Sequence, residues 1–97
     1  MQDLTLEHFV AFVDQDFAAT TEAGDRTCFT LTEAQAAGST PPGITRPPFA
    51  LLFHNPAEVL FPQGTYRLSH PTVGEVEIFL VPVARKQPGF VYQAVFN

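Results

Sequence analysis

Three histidines, one cysteine, two serines and ten acidic residues are the side chains of this 97-residue sequence that chemistry would draw on. A metal centre needs His, Cys, Asp or Glu at close spacing. His8, His54 and His70 are scattered instead, with no HxH, HExxH or CxxC among them. His54 precedes Asn55-Pro56 and His70 precedes Pro71, so each ends a strand-like run. They become neighbours if those strands pair side by side, and stand at opposite ends of the ladder if the strands form a hairpin. Metal-assisted hydrolysis at His54, His70 and a nearby acid is the enzymatic reading they support. Histidines that hydrogen-bond turn backbone outweigh it. Ser39 and Ser69 lie outside any GxSxG elbow. Cys28 sits inside a strand pattern, where a thiol behaves as a small apolar group, with only Arg26 as a basic neighbour. Asp14 and Asp16 lack the full oxygen-ligand loop that calcium requires. Glu75 and Glu77 share a strand face, where outward acids on an edge strand discourage edge-to-edge pairing. No glycine-rich phosphate loop is present. The chain reads as a non-enzyme, with no cofactor and no metal expected.

Those residues must be carried by structural elements, and the sequence is legible for them. Leu6, Phe9, Val10 and Val13 recur at i, i+3, i+4 and i+7, which predicts a helix over residues 5–13. Thr5 is placed as its N-cap, and Leu4 with Phe9 as a hydrophobic staple. A stripe this short is suited to plugging one open end of a sheet. From Asp16 the period becomes two. Phe17 and Ala19 alternate with polar or small residues, and Gly24 marks a turn. The return strand then places Phe29 and Leu31 opposite Cys28, Thr30 and Thr32. Residues 36–48 are too rich in proline for a ladder and predict a loop or arm.

The second half is more apolar. Residues 49–53 are apolar on both faces, which describes either a fully buried strand or one whose outer face meets a partner. Residues 55–63 form a loop whose Val59, Leu60 and Phe61 are expected to fold over the barrel end. Three further strands follow around Tyr66, Ile78 and Tyr92. Gly64 is expected to supply a positive φ and Tyr66 to pack inward. All connections except the proline-rich one are too short for parallel crossovers. The fold expected is all-β, a small antiparallel barrel or compressed sandwich of about six strands with a short N-terminal helix, spanning residues 1–97 as one domain.

Composition bounds the function classes. Apolar residues make up 45% of the chain and charged residues 15%, so it is not of the disordered class. A net charge of −5 excludes the basic surface that nucleic-acid or anionic-membrane binding requires. No apolar run approaches the ~20 residues of a membrane helix. The first residues lack a signal peptide's basic and apolar regions, and the single cysteine fits a reducing compartment, so a cytoplasmic location is expected. Charge is uneven: the first 25 residues hold six acids and no Lys or Arg, while the remainder is close to neutral. That pattern is first of all a solvated acidic helix-and-hairpin face. The sharper reading is a chain whose apolar half associates with another subunit while its acidic half keeps the assembly soluble.

The runs Pro48-Phe49-Ala50-Leu51-Leu52-Phe53 and Leu60-Phe61-Pro62-Gln63-Gly64-Thr65-Tyr66-Arg67-Leu68 carry a resemblance. So do Phe79-Leu80-Val81-Pro82-Val83, the terminal Tyr92-Gln93-Ala94-Val95-Phe96-Asn97 and the opening Leu4-Thr5-Leu6-Glu7-His8-Phe9. Together they resemble an uncharacterised family of short bacterial proteins, a domain of unknown function, over nearly the whole chain. The resemblance implies an association with phage-tail-like gene neighbourhoods, and therefore a part in an assembly over an enzyme.

The reading that follows is an interaction or assembly module that engages a protein partner or its own copies. Its expected interface residues are Phe49, Leu51, Phe53, Phe79, Val81, Val83, Val91 and Val95. The alternative is a small apolar-ligand binder whose pocket is bounded by Phe29, Phe53, Tyr66 and Tyr92.

Overall fold

Alternation of apolar and polar residues at a period of two commits most of this chain to strands, each with one face to bury. The computed structural model describes residues 6–20, 24, 26–36 and 48–96. It shows one helical turn, α1 (Leu6–Val10), and six strands: β1 (Asp16–Thr20), β2 (Arg26–Ala36), β3 (Phe49–Asn55), β4 (Gly64–His70), β5 (Gly74–Arg85) and β6 (Phe90–Phe96). The strands close into an antiparallel barrel in the ring order β1-β2-β3-β6-β5-β4. Of the two architectures expected, the barrel is the one found.

β3 and β6 pair along their full length, from Phe49↔Phe96 to Asn55↔Phe90. β1 and β4 close the ring through only Ala18↔Ser69 and Ala19↔Leu68. Two irregularities bend the wall. One lies between Leu31 and Glu33 in β2, where the Thr32 hydroxyl donates to the Leu52 carbonyl at 3.1 Å. The other lies between Pro82 and Ala84 in β5. Proline has no N–H to give a ladder, so a bulge accommodates Pro82 within a strand.

Inward positions fill the barrel with aromatic rings. Phe17, Phe29, Phe53 and Tyr92 are fully buried along the interior. At one end Phe49 stacks on Phe96 with centroids 4.6 Å apart, and Phe9 from α1 lies over both at 6.1 and 5.9 Å. α1 is therefore the plug that its short stripe implied. It is also shorter than expected. The α-helix stops at Val10, and the chain continues through tighter i to i+3 bonds, Phe12 N–H to Phe9 O and Val13 N–H to Val10 O. That shift turns Val10 out to solvent and brings Phe12 against the barrel. Asp14 ends the turn in the left-handed region at φ 72°.

Other expectations are corrected. Phe49, Leu51 and Phe53 are not interface residues, because all three point inward and are buried by the chain itself. The apolar look of residues 49–53 arises because the outward partners Ala50 and Leu52 are also apolar. Gly64 is the first residue of β4 and lacks a positive φ; among the described glycines that role falls to Gly24, Gly74 and Gly89. β5 pairs with both β4 and β6, so Glu75 and Glu77 do not lie on an edge strand. The proline-rich loop lies outside the described residues from 37 to 47, as does the expected N-cap at Thr5 and the staple residue Leu4.

Candidate interaction surface

The histidines are the first test of a catalytic reading. β3 and β4 stand opposite one another in the ring, so His54 and His70 belong to opposite walls. Each is held by backbone or amide groups. The His70 Nδ1 accepts from the Thr72 and Val73 amides at 3.0 and 3.3 Å, which leaves the proton on Nε2 to donate to Gln15 Oε1 at 2.6 Å. The ring is buried beside Phe12 and Phe17 and ties the β4–β5 turn to the segment before β1. His54 Nε2 donates to the Pro88 carbonyl at 2.6 Å and so pins the β5–β6 turn. Both histidines therefore hold turn backbone.

That second turn is clasped from several sides. The Gly89 N–H donates to Glu58 Oε1 at 3.3 Å, and the Arg85 guanidinium reaches Glu58 Oε2 at 3.5 Å. Gly89 adopts φ 91°, and a Cβ there would lie 1.8 Å from the Asn55 carbonyl oxygen. Only glycine fits this close approach. Asn55 is itself buried and donates to the Thr27 hydroxyl at 2.9 Å.

Other reactive side chains are equally committed or dispersed. Asp16 accepts from the Thr30 hydroxyl at 2.6 Å. Tyr92 accepts the Phe61 N–H on its phenolic oxygen at 2.9 Å. Burial pushes the Tyr92 hydroxyl above the ordinary phenol value of 10.0, and the Phe61 amide offsets this only in part. Cys28 is exposed on the outside of β2 rather than buried, because Phe29 and Leu31 take the inward positions of that strand. Among the described residues no three His, Cys, Asp or Glu side chains gather as a metal site would. No helix among them is long and apolar enough to cross a membrane.

The rings expected to bound a ligand meet each other instead. Phe29 lies edge-on to Tyr92 at 5.3 Å and to Phe53 at 6.4 Å, and its centroid is 5.9 Å from Tyr66. Among the described residues, two grooves lie on the outside. One of about 580 Å³ runs over β1, β4 and β5, with Thr20, Arg26, Arg67, Glu75 and Glu77 around it. Arg67 and Glu77 form an exposed ion pair at 3.3 Å within it, so its charge is largely self-compensated.

The outer wall built by β3, β6 and β5 is different. Phe79 is 54% exposed, Val83 48% and Val95 54%, with Val81 and Val91 half-buried beside them. The register assembles these residues into one surface. Leu52 and Val81 both pair with Gln93, Ala50 pairs with Val95, and Ala84 pairs with Val91. Phe79 and Val95 each lie two residues beyond the Val81–Gln93 pair, on the same outward side. Five of the eight expected interface residues therefore share an outer face. The exposure of Val59 and Leu60 was not anticipated. Their loop sends only Phe61 onto the barrel, because only that residue's amide is held by Tyr92.

Comparison with known proteins adds a family and nothing further. The family model described as Domain of unknown function (DUF6916) matches residues 4–96, and the chain belongs to that family. No curated protein and no solved structure matches it.

Proposed function

Since family membership names no activity, we propose that this chain is a non-enzymatic interaction module that docks through the outer wall of β3, β6 and β5. One observation carries the reading. Phe79, Val83 and Val95 are each about half exposed on one outward face, while the interior is already filled by the chain's own rings. An exposed aromatic and two β-branched residues side by side gain nothing for a lone barrel in water, and they gain free energy when another surface covers them. Packing of Phe29 against Phe53, Tyr66 and Tyr92 favours docking outside the barrel over a ligand within it. The finer reading comes from the family resemblance alone: a structural or accessory component of a phage-tail-like particle, made and assembled in the cytoplasm.

Site-specific photo-cross-linking tests the docking face. A benzophenone amino acid replaces Phe79 in one experiment and Ala18, on the opposite wall, in another. Discrete adducts in the native host are expected from position 79 and not from position 18. Absence of adducts from 79, or equal adducts from both positions, would overturn the reading.

A further inference from the structure

We infer that the loop between β3 and β4 is a strap whose Phe61 ring stands in a ligand's place, and that a small neutral aromatic molecule bearing an N–H or O–H donor displaces it. The site faces inward and is separate from the docking wall. The interior beneath it is full, with Phe29 edge-on to Tyr92 at 5.3 Å and both rings completely buried. Phe61 lies over these two, its centroid 6.2 Å from Phe29 and 6.4 Å from Tyr92, and the Tyr66 ring stands beside Phe29 at 5.9 Å. One ring lent by the loop therefore occupies a place walled by Phe29, Tyr66 and Tyr92.

The strap is held unevenly. Residues 56–63 form no helix or strand, and none of them makes a backbone–backbone hydrogen bond among the described residues. Its first part is clasped, because the Asn55 side chain accepts the Ala57 N–H at 3.0 Å and Glu58 meets Gly89 and Arg85. Beyond Glu58 two phenols hold it. The Tyr92 oxygen accepts the Phe61 N–H at 2.9 Å, and the Tyr66 hydroxyl donates to the Pro62 carbonyl. Val59, Leu60, Pro62 and Gln63 are exposed, so Phe61 alone of residues 59–63 packs on the core. A segment with few buried contacts and no ladder bonds opens at low free-energy cost. What opening uncovers sets the ligand. It bares ring faces of Phe29 and Tyr92 and leaves the Tyr92 oxygen without its donor, while Val59 and Leu60 are already in water. An aromatic ring restores the first contact and an N–H or O–H restores the second. The three rings and two phenolic hydroxyls around the place carry no charge, so a charged ligand would be desolvated without a partner. Indole has the size and the donor; benzene has the ring alone.

Titration of the full-length chain with indole, and separately with benzene, tests the strap by amide NMR and calorimetry. Indole is expected to saturate the wild type, with shifts confined to Phe29, Phe61, Tyr66, Tyr92 and their neighbours. It should also speed hydrogen exchange of the Phe61 amide, whose acceptor it takes. Phe61→Ala removes the competing ring and is expected to tighten indole binding at least about tenfold, the factor set by an open state of ~10% or less in the wild type. The wild type should prefer indole to benzene, and Tyr92→Phe should bind the two alike. A wild type that binds no indole would overturn the inference even if Phe61→Ala binds it, because the substitution would then have made the cavity. Shifts elsewhere on the barrel, unchanged exchange at Phe61 on saturation, or a Phe61→Ala variant that binds no tighter would overturn it as well. So would a preference for indole that survives in Tyr92→Phe. If Phe61→Ala fails to fold, the exchange measurement on the wild type decides alone.

Discussion

The barrel has one kind of inside and two kinds of outside. On the wall made by β1, β2 and β4, outward positions carry Asp16, Ala18, Thr20, Arg26, Cys28, Arg67 and Ser69, which are small, polar or charged. On the wall made by β3, β6 and β5 they include Leu52, Phe79, Val81, Val83, Val91 and Val95 around Gln93, with Glu75 and Glu77 confined to the start of β5 where it pairs with β4. Both walls present buried apolar residues to the same interior, Phe17, Phe29 and Leu68 from one, Phe53, Ile78 and Tyr92 from the other. Folding makes the same demand of every strand's inner face and is indifferent to its outer one, provided water can wet it. The asymmetry outside is the feature on which the docking proposal rests.

The largest effects belong to groups that hold the apolar wall in place. Replacing Phe53 by alanine removes a ring enclosed by Phe17 and Phe29 and is expected to cost about 3–5 kcal/mol in a denaturant titration. Gly89→Ala should be comparably severe, on the order of 3 kcal/mol or more, because a new Cβ would overlap the Asn55 carbonyl in a strained backbone region. A smaller loss, about 1 kcal/mol, is expected for Tyr92→Phe, which leaves the Phe61 amide without its acceptor. The Tyr92 hydroxyl also gives this wall a pH signature. Its folded value is raised, so the folded chain binds the proton more tightly than the unfolded chain. Stability is then full below pH 10.0 and falls as pH rises beyond it, and Tyr92→Phe flattens that fall in alkaline melting curves.

On the opposite wall, Arg67→Ala breaks an exposed ion pair and is expected to change stability by no more than about 1 kcal/mol, less at high salt. The smallest effect on stability is expected at the residue proposed to matter most for docking. Phe79→Ser should leave the melting of the monomer within about 0.5 kcal/mol of the parent. It should also abolish association. A large loss of stability at Phe79 would mean that its ring supports the fold, and the contrast between the walls would then lose its functional meaning.

Much of this was legible in the chain. The strand pattern, the plug formed by Phe9 and the inward phase of Phe29 and Leu31 follow from a period of two after a short helical stripe. Pairing order does not, since alternation marks which face of a strand is apolar and is silent on which strand lies beside it. For that reason the separation of His54 from His70 emerges only from the ring order. Phe49, Leu51 and Phe53 were misassigned because a strand with alanine and leucine on its outer face cannot be divided into inside and outside by pattern alone. Pro82 was a signal in the chain, the one proline that stands inside an apolar strand run instead of at a boundary or in a loop. A proline within a strand announces a bulge, and this bulge lies beside the exposed Val83. The clasp on Gly89 was hidden, since Asn55 and Glu58 lie about thirty residues earlier in the chain.

Hydroxyl-radical footprinting compares the two walls in a single measurement, with the protein labelled once in its native host and once as dilute purified chain. Docking predicts that Phe79, Val83 and Val95 are protected in the host relative to the dilute chain, while Cys28 on the opposite wall is modified equally in both. Equal modification of Phe79 in the two states, or protection at Cys28 alone, would contradict the account.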